Sequence, residues 1–497
     1  MMGALRTRLF PDPRRAAVVL KLALPVMAAM LVQTFINLFD TILVGYLPRE
    51  YSIAGQAGLG YTMILHWLIG GFASCIAVGT QAMTARRFGE KDLHGAGRVA
   101  FNSALIALVV GGVFTWLAVM LTGPIFRLVT SNEHVLAQGV PYARARFSGI
   151  LAMVGTLAFK AFFDGLGKTH YHFAVAVVMN LVNAVLGYLL VFGAFGFPRL
   201  YVYGAGVAAA IASYFGLFLM LALAMRSRFR TEFRIFRWSN FDASVAASIL
   251  RLSIPSGVAT VFVMTGFLLF YKWVGLLDSQ VSEAFQKGTS ASVGGFLHAI
   301  LPFTVSRDAF FELLKARPPV YEAATKVIID LLSISFMTCI GLGVSTATLV
   351  SQNLGRRRPD EAEAYGWTAV RIGVWFTGLV GLWTFLFPDT AMGLFSHDPE
   401  VIAAGRAPLR VIACAEAGLG FGLVLAQALF GAGATRFVMK VEITLHTVCL
   451  VPLSYLFGIV FDWKLIGLWA SALLYIVALA AVMVWKFRGG SWKDIRI

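Results

Sequence analysis

The chain has 497 residues, of which 59% are apolar and only 13% are charged, about half the charged share of a soluble domain. The charged residues form short clusters between long apolar runs, a pattern that excludes a soluble globular protein and indicates a polytopic membrane protein. The formal net charge is +16, but Lys and Arg flank apolar segments instead of alternating with stacking aromatics, which argues against nucleic-acid binding.

The first apolar run begins near Ala16 and is too long for the core of a signal peptide, so it predicts a membrane span after a basic tail. With about 20 apolar residues required per span, the sequence predicts twelve. Because lipid cannot satisfy backbone polar groups, each span is predicted to be helical. Their predicted ranges are 16–46, 52–81, 96–122, 134–163, 171–193, 203–225, 243–277, 320–352, 362–387, 401–430, 437–460 and 465–486.

The basic residues outside the spans predict the orientation of the chain. Clusters at 86–98, 226–237 and 356–358 follow alternate spans, and both termini are basic as well. Because cytoplasmic connections are enriched in Lys and Arg, these segments and both termini are predicted to face the cytoplasm of a cell (inner) membrane.

Two pairs of motifs repeat at one spacing. GTQAMTARRFG (79–89) is similar to STATLVSQNLG (345–355), and FDGLGKTH (163–170) is similar to LFGAGATR (429–436). Both pairs are 266 residues apart. Two parallel copies of six spans are therefore predicted, related by an axis along the membrane normal.

The first spans of the two halves are closer in sequence, because Pro25 matches Pro255 and Gly45 matches Gly275 at a spacing of 230. The difference between the two spacings predicts an outward-facing insertion in the second half. The predicted organisation is an N-terminal lobe (1–225), a basic linker (226–242), a C-terminal lobe (243–486) with the insertion at about 278–315, and a tail (487–497).

These motifs resemble the MATE (multidrug and toxic compound extrusion) family. The resemblance rests on LALPVMAAMLVQTFINLFDTILVGYL (22–47), GLGKT (165–169), NLVNAVLGYLLVFG (180–193), GLGVSTATLVSQNLG (341–355) and LFGAGATR (429–436). It implies an all-α fold of twelve helices in two six-helix lobes around a V-shaped central cavity. It also implies export of small amphipathic or cationic compounds in exchange for H⁺ or Na⁺, without a cofactor.

Asp40 is the sharpest candidate for a functional residue. A carboxylate inside a span costs roughly 2.5–3.5 kcal/mol, and Gln33, Asn37 and Asp40 share one helical face. Pro25 removes a backbone hydrogen bond from the same helix and allows it to bend. In the family, the matching aspartate and proline belong to a subgroup that links protonation to bending of the first helix. The alternative is a structural Asp40 that pairs with a neighbouring helix.

The resemblance also implies partners for Asp40. An asparagine in the fifth helix and a hydroxyl residue in the sixth complete the family's cation site, and these positions are Asn183 and Ser213 here. A second aspartate is expected four residues after Asn183, but this chain has Gly187. Since one carboxylate ligand is missing, proton coupling is favoured over sodium coupling.

The second half does not repeat this chemistry, because the counterpart of Asp40 is Phe270. Glu416, on one face of the tenth span with Gln427, is either a substrate counter-charge or second proton site, or a partner of Arg410. Glu442 and His446 are spaced i, i+4, which favours a pair between the two side chains.

Organic cations favour aromatic faces and polarisable sulfur, so aromatic and methionine side chains in the spans are candidates for the walls of a substrate site. The candidate substrate residues are Gln33, Phe35, Phe39, Tyr61, Met63, Met153, Met179, Glu416 and Gln427. No metal site is predicted, because His170 and His172 lack further ligands. The four cysteines lie in apolar segments without paired spacing.

The insertion contains an apolar segment (290–305) and a predicted short amphipathic helix (307–319), and it forms either an outer cap over the cavity or a surface elaboration. The partners expected are the bilayer and a small molecule, and the chain is expected to be monomeric. Two alternatives to an antiporter are a lipid-linked oligosaccharide flippase, disfavoured by the few Lys and Arg residues inside the spans, and a non-transporting membrane scaffold.

Overall fold

The computed structural model describes residues 11–129, 132–300 and 320–497, and these residues are almost entirely helical. The helices of the first half are α1 Pro13–Gly45, α2 Arg49–Ala73, α3 Ile76–Gly89, α4 Leu93–Val129, α5 Glu133–Phe147, α6 Ile150–Gly165, α7 Thr169–Phe192 and α8 Tyr201–Ala224. A short helix, α9 (Ser227–Phe233), lies in the linker. The helices of the second half are α10 Ala243–Ile300, α11 Val320–Gly355, α12 Pro359–Leu386, α13 Pro388–Gly393, α14 Pro399–Ala413, α15 Glu416–Ala432, α16 Thr435–Thr444, α17 Val451–Tyr455 and α18 Lys464–Arg488.

The twelve predicted spans are confirmed. Within the described residues, eleven helical stretches are long and apolar enough to cross a membrane, and the bent pair of α14 and α15 makes the twelfth. The two helices of this pair meet at an angle of 54°. The eleventh span is also irregular, because the stretches Leu445–Leu450 and Leu456–Val460 on either side of α17 are π-helical.

Breaks in the spans recur at the spacing of the sequence repeat. Ser148 and Gly149 separate α5 from α6, and Cys414 and Ala415 separate α14 from α15. These breaks are 266 residues apart, which is the spacing of the repeated motifs. A further break at Ser74 and Cys75 separates α2 from α3, whereas α11 in the second half is continuous.

The predicted insertion begins as a continuation of the seventh span. The helix α10 runs past Asp278 as far as Ile300, and the predicted amphipathic helix at 307–319 lies outside the described residues. Asp278 accepts hydrogen bonds from the backbone N–H groups of Tyr321 (2.9 Å) and Glu322 (2.8 Å) at the start of α11. The excursion between these helices therefore leaves and rejoins the lobe at nearly one point.

The two lobes contact each other at the ends that carry the basic connections. Gly89 of α3 lies against the carbonyl of Gln352, and Gly355 of α11 lies against the carbonyl of Arg86, so neither glycine has room for a side chain. These contacts, too, are related by 266 residues.

Side chains reinforce this contact. Gln81 Nε2 donates to Thr348 Oγ1 at 2.8 Å, and Ser351 Oγ donates to the carbonyl of Ala82 at 2.7 Å. Gln352 Nε2 donates to the carbonyl of Gly165 at 2.8 Å. We call these three bonds the lobe clamp.

Candidate cation-coupling site

Asp40 is buried in the N-terminal lobe, near the end of α1, with 1% of its surface exposed. Asn183 Nδ2 of α7 donates to its Oδ1 at 3.0 Å, and Arg146 of α5 donates to its Oδ2 at 3.1 Å. Each carboxylate oxygen thus has its own donor. A charge in an apolar interior is stable only when it is paired and hydrogen-bonded, and this arrangement supplies both.

Arg146 is the functional residue that the sequence analysis missed. It lies in the last turn of α5, immediately before the break at Ser148 and Gly149, and its side chain is 15% exposed. Tyr142, one turn earlier and 3% exposed, also interacts with the guanidinium. The break lets α5 end with Arg146 directed at α1, because the chain does not continue as a straight helix.

A signal for this partner exists in the sequence. Arg146 falls within the predicted fourth span (134–163), and a cation inside a span is as costly as the carboxylate that attracted attention to Asp40. Two buried residues of opposite charge in one six-helix lobe predict a pair. The same argument identifies Lys160 and Asp164 of α6, whose Nζ and Oδ2 atoms lie 3.0 Å apart.

The structure brings Asp40 and Asn183 together as predicted but does not join Ser213 to them by a described hydrogen bond. The Ser213 hydroxyl donates to the carbonyl of Ala209 in its own helix at 2.8 Å, and the residue lies against Gly149. Gly187, where the family pattern has a second aspartate, lies against Leu43 of α1. A carboxylate at this position would point towards the helix that carries Asp40.

Pro25 lies inside α1, which is helical on both sides of it. One turn earlier, Thr169 at the start of α7 donates to the carbonyl of Leu22 at 2.9 Å. The region predicted to bend is therefore tied to the helix that carries Asn183. The side chains of Gln33, Phe35 and Asn37 lie outside the described part of the structure.

Most of the described aromatic and methionine candidates for the substrate site pack inside the N-terminal lobe. Tyr61 makes an edge contact with Phe126, Met153 lies against Gly70, and Met179 lies against Gly216. Phe39 is half-buried, and Met63 is half-exposed.

Glu416 begins α15, directly after the break in the tenth span, and is 2% exposed. Ser335 and Cys339, one turn apart on α11, are its neighbours. Arg410, the alternative partner named above, donates instead to the carbonyl of Phe385 at 3.3 Å. Gln427, on the same helix as Glu416, lies against Gly343 of α11.

Glu442 and His446 interact through the backbone, not as the predicted side-chain pair. His446 Nδ1 lies 2.8 Å from the carbonyl oxygen of Glu442, and the imidazole makes an edge contact with Tyr475 at 4.6 Å between ring centroids. The π-helical turn that begins at Leu445 places the imidazole here. Among the described residues, no group of three or more His, Cys, Asp or Glu side chains is arranged to hold a metal ion.

The fold and this site define a multi-pass membrane protein with a buried, hydrogen-bonded ion pair in one of two lobes. A family model described as MatE matches residues 25–189 and 315–456. Because these residues are more than half of the chain, the protein belongs to the MatE family, and it is a membrane transporter, not an enzyme.

Relatives and solved structures agree with this assignment over nearly the whole chain. The probable multidrug resistance protein NorM of Thermotoga maritima is 23% identical over 492 residues, covering 97% of this chain and 94% of that protein. The multidrug resistance protein MdtK of Pectobacterium atrosepticum is 23% identical over 478 residues, covering 94% of each. A solved outward-facing conformation of a multidrug resistance MATE family transporter of the MOP superfamily has a TM-score of 0.79 at 19% identity and covers 97% of both chains.

Proposed function

We propose that the protein exports small amphipathic cations in exchange for protons, and that Asp40 carries the proton. The observation behind this proposal is the buried Asp40 carboxylate with its two donors, Arg146 and Asn183. An ionisable residue inside a membrane protein is a functional-site hypothesis by default. The names of the relatives, which are multidrug resistance proteins, support small-molecule efflux.

The contacts of Asp40 favour a proton over a sodium ion. Hard metal cations require several oxygen ligands, and the position that would supply a second carboxylate is Gly187. A guanidinium already donates to Oδ2 of Asp40, so a metal cation would have to bind beside a positive charge in a medium of low dielectric. A proton needs no such ligand set.

The ion pair also provides a way to couple protonation to movement. A proton on Asp40 removes the charge that balances Arg146, and an uncompensated buried charge costs about 3–5 kcal/mol. That cost is relieved if α1 moves, bending at Pro25, so that Arg146 gains water or another partner. Protonation at the outer face and release at the inner face would then drive the two lobes through one cycle.

A flippase for lipid-linked oligosaccharides is less well supported. Such a function calls for a strongly basic cavity, whereas the buried cations described above are neutralised by neighbours. Arg146 pairs with Asp40, and Lys160 pairs with Asp164.

The experiment is efflux of a fluorescent organic cation from proteoliposomes under a proton gradient, a sodium gradient or neither. We expect efflux only under the proton gradient for the wild type, and none for Asp40→Asn under any condition. The matched control is Asp389→Asn, which neutralises a surface carboxylate 53% exposed and should transport normally. Equal efflux by wild type and Asp40→Asn would overturn the assignment of Asp40, and efflux driven only by sodium would overturn the choice of ion.

A further inference from the structure

The linker between the lobes is a folded segment held on the N-terminal lobe. Phe229 and Phe233 of α9 are 1% and 3% exposed and pack among aromatic residues of that lobe. Asn102 of α4 donates to the carbonyl of Asn240 at 2.8 Å and accepts from the N–H of Asp242 at 3.1 Å. The position of the linker relative to the spans is therefore fixed.

The outer face of this linker carries a basic cavity. Arg230, Arg234 and Arg237 surround a space of about 360 Å³, together with Thr231 and Phe236. All three arginines are exposed, and within the described part of the chain none of them forms an ion pair. Three converging guanidiniums are the donor set that binds the oxygens of a phosphate group.

Exposed aromatic residues border the same cavity. Trp238 is 80% exposed and Phe241 is 59% exposed, and Phe236 in the cavity wall is 42% exposed. Large aromatic side chains left in this state next to a span are typical of the membrane interface, where ring and headgroup meet. The linker follows α8, which ends at Ala224, and precedes α10, which begins at Ala243, so both of its ends meet membrane spans.

We propose that the linker cavity binds the phosphate headgroup of an anionic phospholipid in the cytoplasmic leaflet, with Arg230, Arg234 and Arg237 on the phosphate and Trp238 and Phe241 in the interface. The linker has five arginines and only two acidic residues, which matches the negative surface of that leaflet. Nearby, partial burial lowers the pKa of Lys168, and Arg228 lowers it further, in keeping with a positive local potential. The bound lipid would link the N-terminal lobe to the bilayer surface.

The test is direct binding of lipid to the purified full-length protein in neutral detergent, measured by native mass spectrometry and calorimetry. Short-chain phosphatidylglycerol, phosphatidylcholine with the same acyl chains, inorganic phosphate and a short RNA are compared. The linker variant is Arg234→Gln/Arg237→Gln. The matched control is Arg356→Gln/Arg357→Gln, which removes the same charge from exposed residues of another basic connection.

We expect phosphatidylglycerol to bind the wild type at least about tenfold more tightly than phosphatidylcholine, and the linker variant to lose about tenfold in affinity. The control variant should bind like the wild type. Equal affinity for the two lipids would overturn the headgroup site, and equal losses in both variants would show diffuse charge attraction instead. Binding of inorganic phosphate or RNA as tight as that of the lipid would overturn the choice of occupant.

Discussion

The pairing of Asp40 with Arg146 explains how two opposite charges persist inside one lobe. Each side chain is stable in place because of the other, with Asn183 occupying the second carboxylate oxygen. The pair is also sensitive, because a change of charge on either residue leaves the other one uncompensated. A protonation site in a coupled transporter needs this sensitivity.

A double-mutant cycle tests the pair. Arg146→Gln leaves a buried carboxylate and Asp40→Asn leaves a buried guanidinium, so each change should destabilise the folded protein by about 3–5 kcal/mol. The double variant, which has no buried charge at this site, should lose less than the sum of the two, as measured by unfolding in detergent. The control cycle uses Asp389 and Arg406, an exposed pair expected to contribute about 0–1 kcal/mol. Additive losses at the buried pair would contradict the described contact.

Gly187 provides a test of ion selectivity. Because its position lies against Leu43 of α1, a carboxylate introduced there should approach Asp40 and restore a second hard oxygen ligand. We expect Gly187→Asp to acquire sodium-dependent efflux or sodium-dependent thermal stabilisation that the wild type lacks. The neutral variant Gly187→Asn controls for size. Identical sodium responses of the two variants would show that a missing carboxylate does not determine the ion.

At the scale of helices, interruptions place the charged residues. Arg146 ends α5 before one break and Glu416 begins α15 after the break that corresponds to it in the repeat. The chemistry is not duplicated, since the counterpart of Arg146 is Ile412 and that of Asp40 is Phe270, both buried and apolar. One lobe therefore carries the ion pair, while its counterpart in the other lobe is apolar.

The lobe clamp, made by Gln81, Ser351 and Gln352, should favour the conformation that is closed at the basic ends. Hydrogen bonds of this kind contribute about 1 kcal/mol each, so Gln81→Ala/Gln352→Ala should shift the population of conformers by about tenfold or more. Spin labels at the exposed positions 91 and 357 would report the separation of the lobes, and we expect a larger fraction of long distances.

The control for this measurement is Thr80→Ala, which removes a hydrogen bond to Ser103 inside the N-terminal lobe. It should leave the distance distribution of the labels unchanged. An unchanged distribution in the clamp variant as well would show that these bonds do not select the conformation.

For the molecule as a whole, the sequence predicts the features that depend on local composition. Twelve spans follow from the lengths of the apolar runs, and the contact of Asp40 with Asn183 follows from a family pattern. The bend in the tenth span, the helical continuation to Ile300 and the pairing with Arg146 depend on which helices pack together. Apolar length carries no information about packing, so these features emerge only from the structure.

The central claim of the account is that substrate and protons are exchanged through Asp40. Its most direct test is the pH inside proteoliposomes, followed with a trapped dye, after an organic cation is added outside without any imposed gradient. For wild-type protein we expect uptake of the cation to drive protons out and to alkalinise the lumen, and for Asp40→Asn we expect no change above empty liposomes. A pH change of equal size in the mutant, or cation uptake accompanied by sodium release at constant pH, would contradict the account.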